Sequence, residues 1–231
     1  NLYLANWFAT LKENGGFAAL SESIGNYNIP YMVIMAFLTY IPIDSLFTIK
    51  IVSVVFDILL AIIGSKIVGL IIKGNKRKLA MIISYVVLLF LPTIILDSSM
   101  WAQCDTIYTT FVLLAIYYLM KNKITLSFVF LGIAFAFKLQ ALFILPLYIF
   151  MYFTKGKFSL LNFLIIPAIN IIMCLPAVIA GRDILDVLLL YVNQSGYYHF
   201  MTMKAPSLYY IIPGDYKLLH RFALVLTVIA F

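Results

Sequence analysis

Charge is what this chain has least of. Only 11% of its residues are Asp, Glu, Lys or Arg, against 65% hydrophobic, and the mean hydropathy is +1.07. A water-soluble domain needs far more charged surface than that, so the composition points to a polytopic helical membrane protein. The apolar runs are continuous rather than alternating, which excludes a transmembrane β-barrel. Acids are scarcer than bases, nine against sixteen. The net charge of +7 would suggest nucleic acid in a soluble protein, but its distribution argues otherwise. Eight of the sixteen Lys/Arg lie in three short loops, at Lys73, Lys76, Arg77, Lys78, Lys121, Lys123, Lys155 and Lys157, and none of the nine acids is there. That is the mark of cytoplasmic loops, not of a nucleic-acid footprint. Two cysteines, Cys104 and Cys174, make no disulfide framework and no zinc spacing. Two separate apolar thiols are expected, with a disulfide left open because both fall near the outer ends of spans. A P-loop, a Gly-rich dinucleotide motif, a pump-like carboxylate pair, an internal repeat and a low-complexity tract are all missing.

The basic loops set the topology. Segment 46–72 is the first unambiguous span and runs inward to Lys73–Lys78, which leaves residues 1–45 as an extracytoplasmic loop. Within that loop, Leu4, Trp7, Phe8 and Leu11 make an apolar stripe expected to lie on the membrane as an interfacial helix. Residues 17–25 are mildly amphipathic. The eleven apolar residues 31–41 are too few to cross, so a helix at the outer face or partly inserted is expected. Spans 79–96, 105–120 and 158–180 follow, 97–104 is an outer loop, 181–217 a long outer segment, and a last span begins at 218. Residues 46–231 are thus the transmembrane bundle. The chain starts without Met and ends ten residues after Arg221. It is read as a fragment lacking an N-terminal helix and further C-terminal ones.

Segment 124–153 is thirty largely apolar residues with lysines at both ends. A single span needs about 20 residues, so thirty are too many for one and too few for two. Positive charge on both sides requires the segment to go out and return. Each arm is then about 14 residues, or roughly 21 Å, shorter than a bilayer core of about 30 Å. The tip, Lys138 to Gln140, stops below the outer surface, and a lysine at that depth must face water, an anion or a counter-charge. A fixed cation there suits a lipid phosphate whose tail lies in the same bilayer.

Other polar groups have competing readings. Trp101, Gln103, Asp105 and Tyr108 cluster with Asp97 at the head of a helix, as in a sugar-binding surface. Trp101 equally suits an interfacial belt, and Asp105 equally suits a helix N-cap. Asp57, about seven residues from Lys50, is expected to be an interhelical hydrogen-bond partner or a counter-ion inside the bundle. The outer segment is dense in aromatic and hydrogen-bonding side chains, including Tyr191, Asn193, Tyr197 and His199. His199 is a lone histidine without the partners a metal site needs, so no metal ligands are assigned.

In this order the motifs resemble those of the GT-C fold polyprenyl-phosphate-dependent membrane glycosyltransferases, including the mannosyltransferase-like bacterial members. Asn26-Tyr-Asn-Ile-Pro30-Tyr31 is similar to the family's YxPPY, with Ile29 where a first proline is frequent. Ile49-Lys50 through Phe56-Asp57 also matches. Ala102-Gln103-Cys-Asp105 resembles GQxD, and Lys138-Leu-Gln140 leading to Pro146 resembles K-x-Q…P. Tyr3-Leu4-Ala-Asn-Trp7 looks like the end of the YxxW motif, whose preceding acid, the family's catalytic base, would lie upstream of Asn1. The resemblance implies an all-α bundle in a bacterial plasma membrane with its active site facing outside. It implies inverting transfer of a sugar from a polyprenyl-phosphate donor to a glycan, lipid or protein acceptor. No cofactor is implied with certainty, and a divalent metal is left open. Lys138 would hold the leaving phosphate, Asp105 and Gln103 would orient sugar or acceptor, and Tyr27, Asn28 and Tyr31 would line the loop side; Gln140, Trp101 and His199 are further substrate-binding candidates. A transporter or flippase of a lipid-linked sugar is the alternative, for which paired broken helices are expected.

Overall fold

The computed structural model describes residues 2–154, 156, 158–195, 219–223 and 225–226. They are helical, and no strand occurs among them. Two compact units are present, Asn1–Leu188 and Leu189–Phe231. Residues 1–45, the expected extracytoplasmic loop, fall within the first unit.

Helix α1 (Leu2–Glu13) is followed by a 3-10 turn at Ala18–Ser21 and by α2 (Ile29–Leu38). Asn28 caps α2 by accepting from the Ile29 N–H at 3.0 Å, and Pro30 occupies the first turn, where its missing N–H costs nothing. Leu4, Phe8 and Leu11 of α1 are buried in one core with Ile29, Met32 and Met35 of α2. The stripe expected on the membrane therefore faces protein. The reason is local: α2 is apolar all round, and it offers α1 a drier partner than a headgroup layer would. Seven of the ten α2 residues are themselves buried. Between the two helices the chain turns at Gly25, whose φ of +71° and closeness to the Trp7 ring, 2.6 Å from an added Cβ, leave room only for glycine.

Helix α3 (Ser45–Ile71) begins where Asp44 accepts from the Phe47 N–H at 3.0 Å. Helix α4 (Arg77–Leu89) rises from the basic loop and breaks before Pro92. The short α5 (Pro92–Ile95) and a wide π-helical turn, Leu96–Met100, continue it with a bend of 40°. The expected span 79–96 is thus two pieces, because Pro92 has no N–H for the helical ladder. Helices α6 (Asp105–Met120) and α7 (Ile124–Phe137) follow with the expected bounds. Lys138 is extended (φ −155°, ψ 132°), a 3-10 segment runs over Leu139–Ile144, and α8 (Leu145–Thr154) leads back. The Ser127 and Tyr148 hydroxyls meet at 2.6 Å, so residues on either side of Lys138 lie side by side and the segment does double back. A 3-10 turn, Leu160–Leu164, opens α9 (Ile165–Ile179), and α10 (Ile184–Leu188) closes the unit.

Helices α4, α3, α6, α7 and α9 pack in that order as a row, each against the next. Hydroxyls stitch neighbours together: Ser65 donates to the Met81 carbonyl at 2.9 Å and Ser127 to the Ala115 carbonyl at 2.6 Å. Such bonds matter where apolar surroundings supply no alternative partner. Among the described residues two helical stretches, Ser45–Ile71 and Leu160–Ile179, are long and apolar enough to cross a membrane, or three if the bent pair counts as one span. Since successive helices alternate in direction, the basic loops 73–78 and 121–123 collect at one end. Asp97, Asp105 and Lys138 collect at the other.

In the second unit the described residues are α11 (Leu190–Ser195) and the helical residues 219–223 and 225–226. His199 and most of the expected outer segment 181–217 lie outside the described residues.

Candidate functional site

Three chain segments meet at the acidic end of the row. The first is the loop before α2, where Tyr27 is packed edge-on between Trp7, at 5.4 Å between ring centroids, and Tyr31, at 5.1 Å. Those rings aim the Tyr27 hydroxyl at Gln103, whose Oε1 accepts its proton. Burial raises the pKa of the Tyr27 phenol, with Cys104 and the nearby carboxylates adding to the effect, so it stays a donor. Asn28 donates its side-chain amide to the carbonyl of Ala136, two residues before Lys138.

The second segment is the turn between the π-helical residues and α6. Ala102 takes φ +55°, a conformation glycine adopts without strain, and it stands where the resembled motif has glycine. That kink lets the Gln103 N–H reach the Asp97 carbonyl at 3.0 Å, while the Gln103 carbonyl accepts from Ser53 on α3 at 3.4 Å. Cys104 is buried, and burial pushes its thiol up to about 12. Cys174 is buried and free as well, so the two are separate apolar thiols.

The third segment is the tip. Lys138 forms a charge-assisted hydrogen bond to Asp105 Oδ1, and its ammonium sits 5.7 Å from the centre of the Tyr108 ring. The side chains of Lys138 and Asp105 remain 26% and 31% exposed, so the pair is half open. Asp105 is the first residue of α6, not its N-cap: Cys104 holds that position and makes no side-chain cap bond. The carboxylate is instead used on Lys138, while still favouring the positive end of the α6 dipole. Beyond it lies a cavity of about 340 Å³ lined by Asp97, Asp105, Thr106, Thr109 and the apolar side chains Leu60, Leu88, Ile94 and Leu113.

The structure thus brings together Lys138, Asp105, Gln103, Tyr27, Asn28 and Tyr31 of the expected site. Trp101 is at the same turn but 65% exposed. Gln140 is exposed and takes no part in these bonds. It lies in the 3-10 segment that starts at Leu139. Of the water, anion or counter-charge expected to face Lys138, the structure supplies a counter-charge, Asp105. Asp57 is the interhelical partner it was expected to be, buried and accepting from Ser98. The ring of Tyr108 as a platform for Lys138, and Ser98 as the partner of Asp57, were not expected. The first had a readable signal, since Tyr108 lies three residues after Asp105 on one helical turn. Among the described residues no three of His, Cys, Asp and Glu converge as they would around a metal ion. Comparison with known protein families, with curated proteins and with solved structures finds no match to this chain.

Proposed function

We propose that this chain is the catalytic bundle of a bacterial membrane glycosyltransferase of the GT-C type. It moves a sugar from a polyprenyl-phosphate donor to an acceptor on the extracytoplasmic face, with inversion. The observation that carries this reading is the half-open Lys138–Asp105 pair, set against the Tyr108 ring and beside the Tyr27–Gln103 bond. An ammonium held at one end of a row of apolar helices suits an anion attached to a lipid. Lys138 holds the leaving phosphate and offsets its growing charge, the kind of contact that strengthens in the transition state. Asp105, Gln103 and Tyr27 supply acceptors and a donor for sugar hydroxyls. Transfer of radiolabelled sugar from a polyprenyl-phosphate donor tests the reading. Lys138→Met should lower the rate by about a hundredfold or more, the scale of a lost oxyanion contact. Normal membrane insertion with undiminished transfer would remove the phosphate role.

One observation favours the second reading, a flippase of a lipid-linked sugar. The break at Pro92 gives the doubled-back segment a second broken helix as company. Movement of the labelled lipid across sealed vesicles with no acceptor present, and no transfer when one is supplied, selects it.

A further inference from the structure

We propose that Asp105 is a built-in stand-in for phosphate: it holds Lys138 while the site is empty and swings to the neighbouring cavity when a phosphate ester arrives. This rests on the reading of Lys138 as the phosphate-binding cation and assigns Asp105 a role in that binding.

A lysine among apolar helices cannot stand alone; with no ligand present it needs a counter-charge. Asp105 supplies one, and the pair has the features of an exchangeable contact rather than a sealed one. Both side chains are partly exposed, so an incoming anion can reach them. Both residues sit at helix ends, Asp105 first in α6 and Lys138 directly after α7, where a side chain can swing without disturbing a backbone ladder. Lys138 keeps the face of Tyr108 as a second contact after the carboxylate leaves. Asp105 has somewhere to go, because it already lines the cavity with the hydroxyl-bearing Thr106 and Thr109 and with Asp97. Burial, and then Asp105, push the Asp97 carboxyl up to about 6, so that it shares a proton more readily than an ordinary carboxylate.

The charges set the direction of exchange. A carboxylate carries one negative charge, and so does a glycosyl phosphodiester, so donor and Asp105 compete for the ammonium on near-equal terms. The phosphate monoester left after transfer carries about −1.5 to −2 near pH 7 and would bind harder. A carboxylate waiting beside the ammonium shortens the stay of that product. Asp105 therefore weakens phosphate binding in order to keep it reversible.

The test is binding of polyprenyl phosphate to the full chain in lipid nanodiscs, for wild type, Asp105→Asn, Asp105→Ser and Lys138→Met. Asp105→Ser serves if Asp105→Asn fails to insert. Removing the internal competitor should tighten binding about tenfold, the scale of one charged hydrogen bond, and slow dissociation. Lys138→Met should lose binding. Asp105 variants that bind no tighter than wild type, while Lys138→Met still loses binding, overturn the exchange and leave the phosphate reading standing. Lys138→Met binding as tightly as wild type overturns both. Inorganic phosphate, added as a competitor at equal concentration, should not displace the lipid; if it does, the ligand is a soluble phosphate and the lipid-borne form of the proposal falls.

Discussion

Asn28 spans two elements far apart in sequence: its side-chain oxygen caps α2 at the Ile29 N–H, and its amide donates to the Ala136 carbonyl at the end of α7. One side chain thereby ties the start of α2 to the strand-like break that carries Lys138. Asn28→Ala removes both bonds and leaves a buried carbonyl short of a donor. The expected cost is about 2–3 kcal/mol, from a lost cap plus an unsatisfied buried group. It should appear as a lower Tm in detergent together with a raised KM for the lipid donor. Asn28→Asp keeps the cap but not the donor, so it should recover part of the stability and little of the KM.

Tyr27 offers a separable test, because its ring and its hydroxyl do different work. Tyr27→Phe keeps the edge-on contacts with Trp7 and Tyr31 and removes only the bond to Gln103. Transfer should fall about tenfold, the value of one to two hydrogen-bond energies, with Tm shifted by no more than a few degrees. Alkaline pH gives an independent reading. Burial raises the folded-state pKa above the usual value of about 10, so the stabilising contribution is complete below pH 10. As pH climbs past that value, the unfolded chain loses the phenolic proton first and stability drops. The wild-type stability curve should therefore slope downward above pH 10 more steeply than that of Tyr27→Phe.

Two glycines predict opposite outcomes for the same substitution. At Gly132 on α7, an added Cβ would stand 2.8 Å from the Ile169 Cβ and 3.3 Å from the Ile166 Cα, both fixed to the backbone of α9. Neither can move unless the helices separate, so Gly132→Ala should cost about 1–3 kcal/mol as overpacking. At Gly64 on α3 the nearest atom is closer, 2.3 Å, but it is the Cδ1 of Leu88, the free end of a flexible side chain. Rotation of Leu88 makes room, and Gly64→Ala, with better helix propensity, should be near neutral. Thermal unfolding of the two variants side by side checks the contrast.

What could be read from the chain and what could not divide along physical lines. The ends of α3, α6 and α7 were legible where each is bounded by a local signal: the lysine loops, or Lys138 within an apolar run. The doubling back of 124–153 was legible for the same reason, from charge at both ends. The pairing of Lys138 with Asp105 was not, because it depends on α6 and α7 lying side by side, and no local pattern states which helices are neighbours. The buried face of α1 was misread as a membrane face, since an amphipathic stripe specifies only that something apolar covers it. The 3-10 segment that begins between Lys138 and Gln140 was not legible, because the spacing in K-x-Q carries no information about it.

Ser98 and Asp57 give the last prediction, at the bend that composition alone did not reveal. Ser98, in the π-helical turn after Pro92, donates to the buried Asp57 carboxylate of α3 and lies 2.8 Å from the Ile94 carbonyl. The bond links the broken helix to the first long one, next to the cavity. The Thr106 hydroxyl also approaches Asp57, but Ser98 is the main donor to its carboxylate. Ser98→Ala removes the main hydrogen-bond donor to a buried carboxylate, which should destabilise by about 1–3 kcal/mol. Asp57→Asn keeps an acceptor for Ser98 and brings an amide that can donate to nearby Thr106, so it should be better tolerated. The double variant, Ser98→Ala with Asp57→Leu, removes both polar groups at once and should recover stability relative to Ser98→Ala alone. A double-mutant cycle read by thermal unfolding decides it: additive effects of the two substitutions would show that the bond does not hold the bent helix to α3.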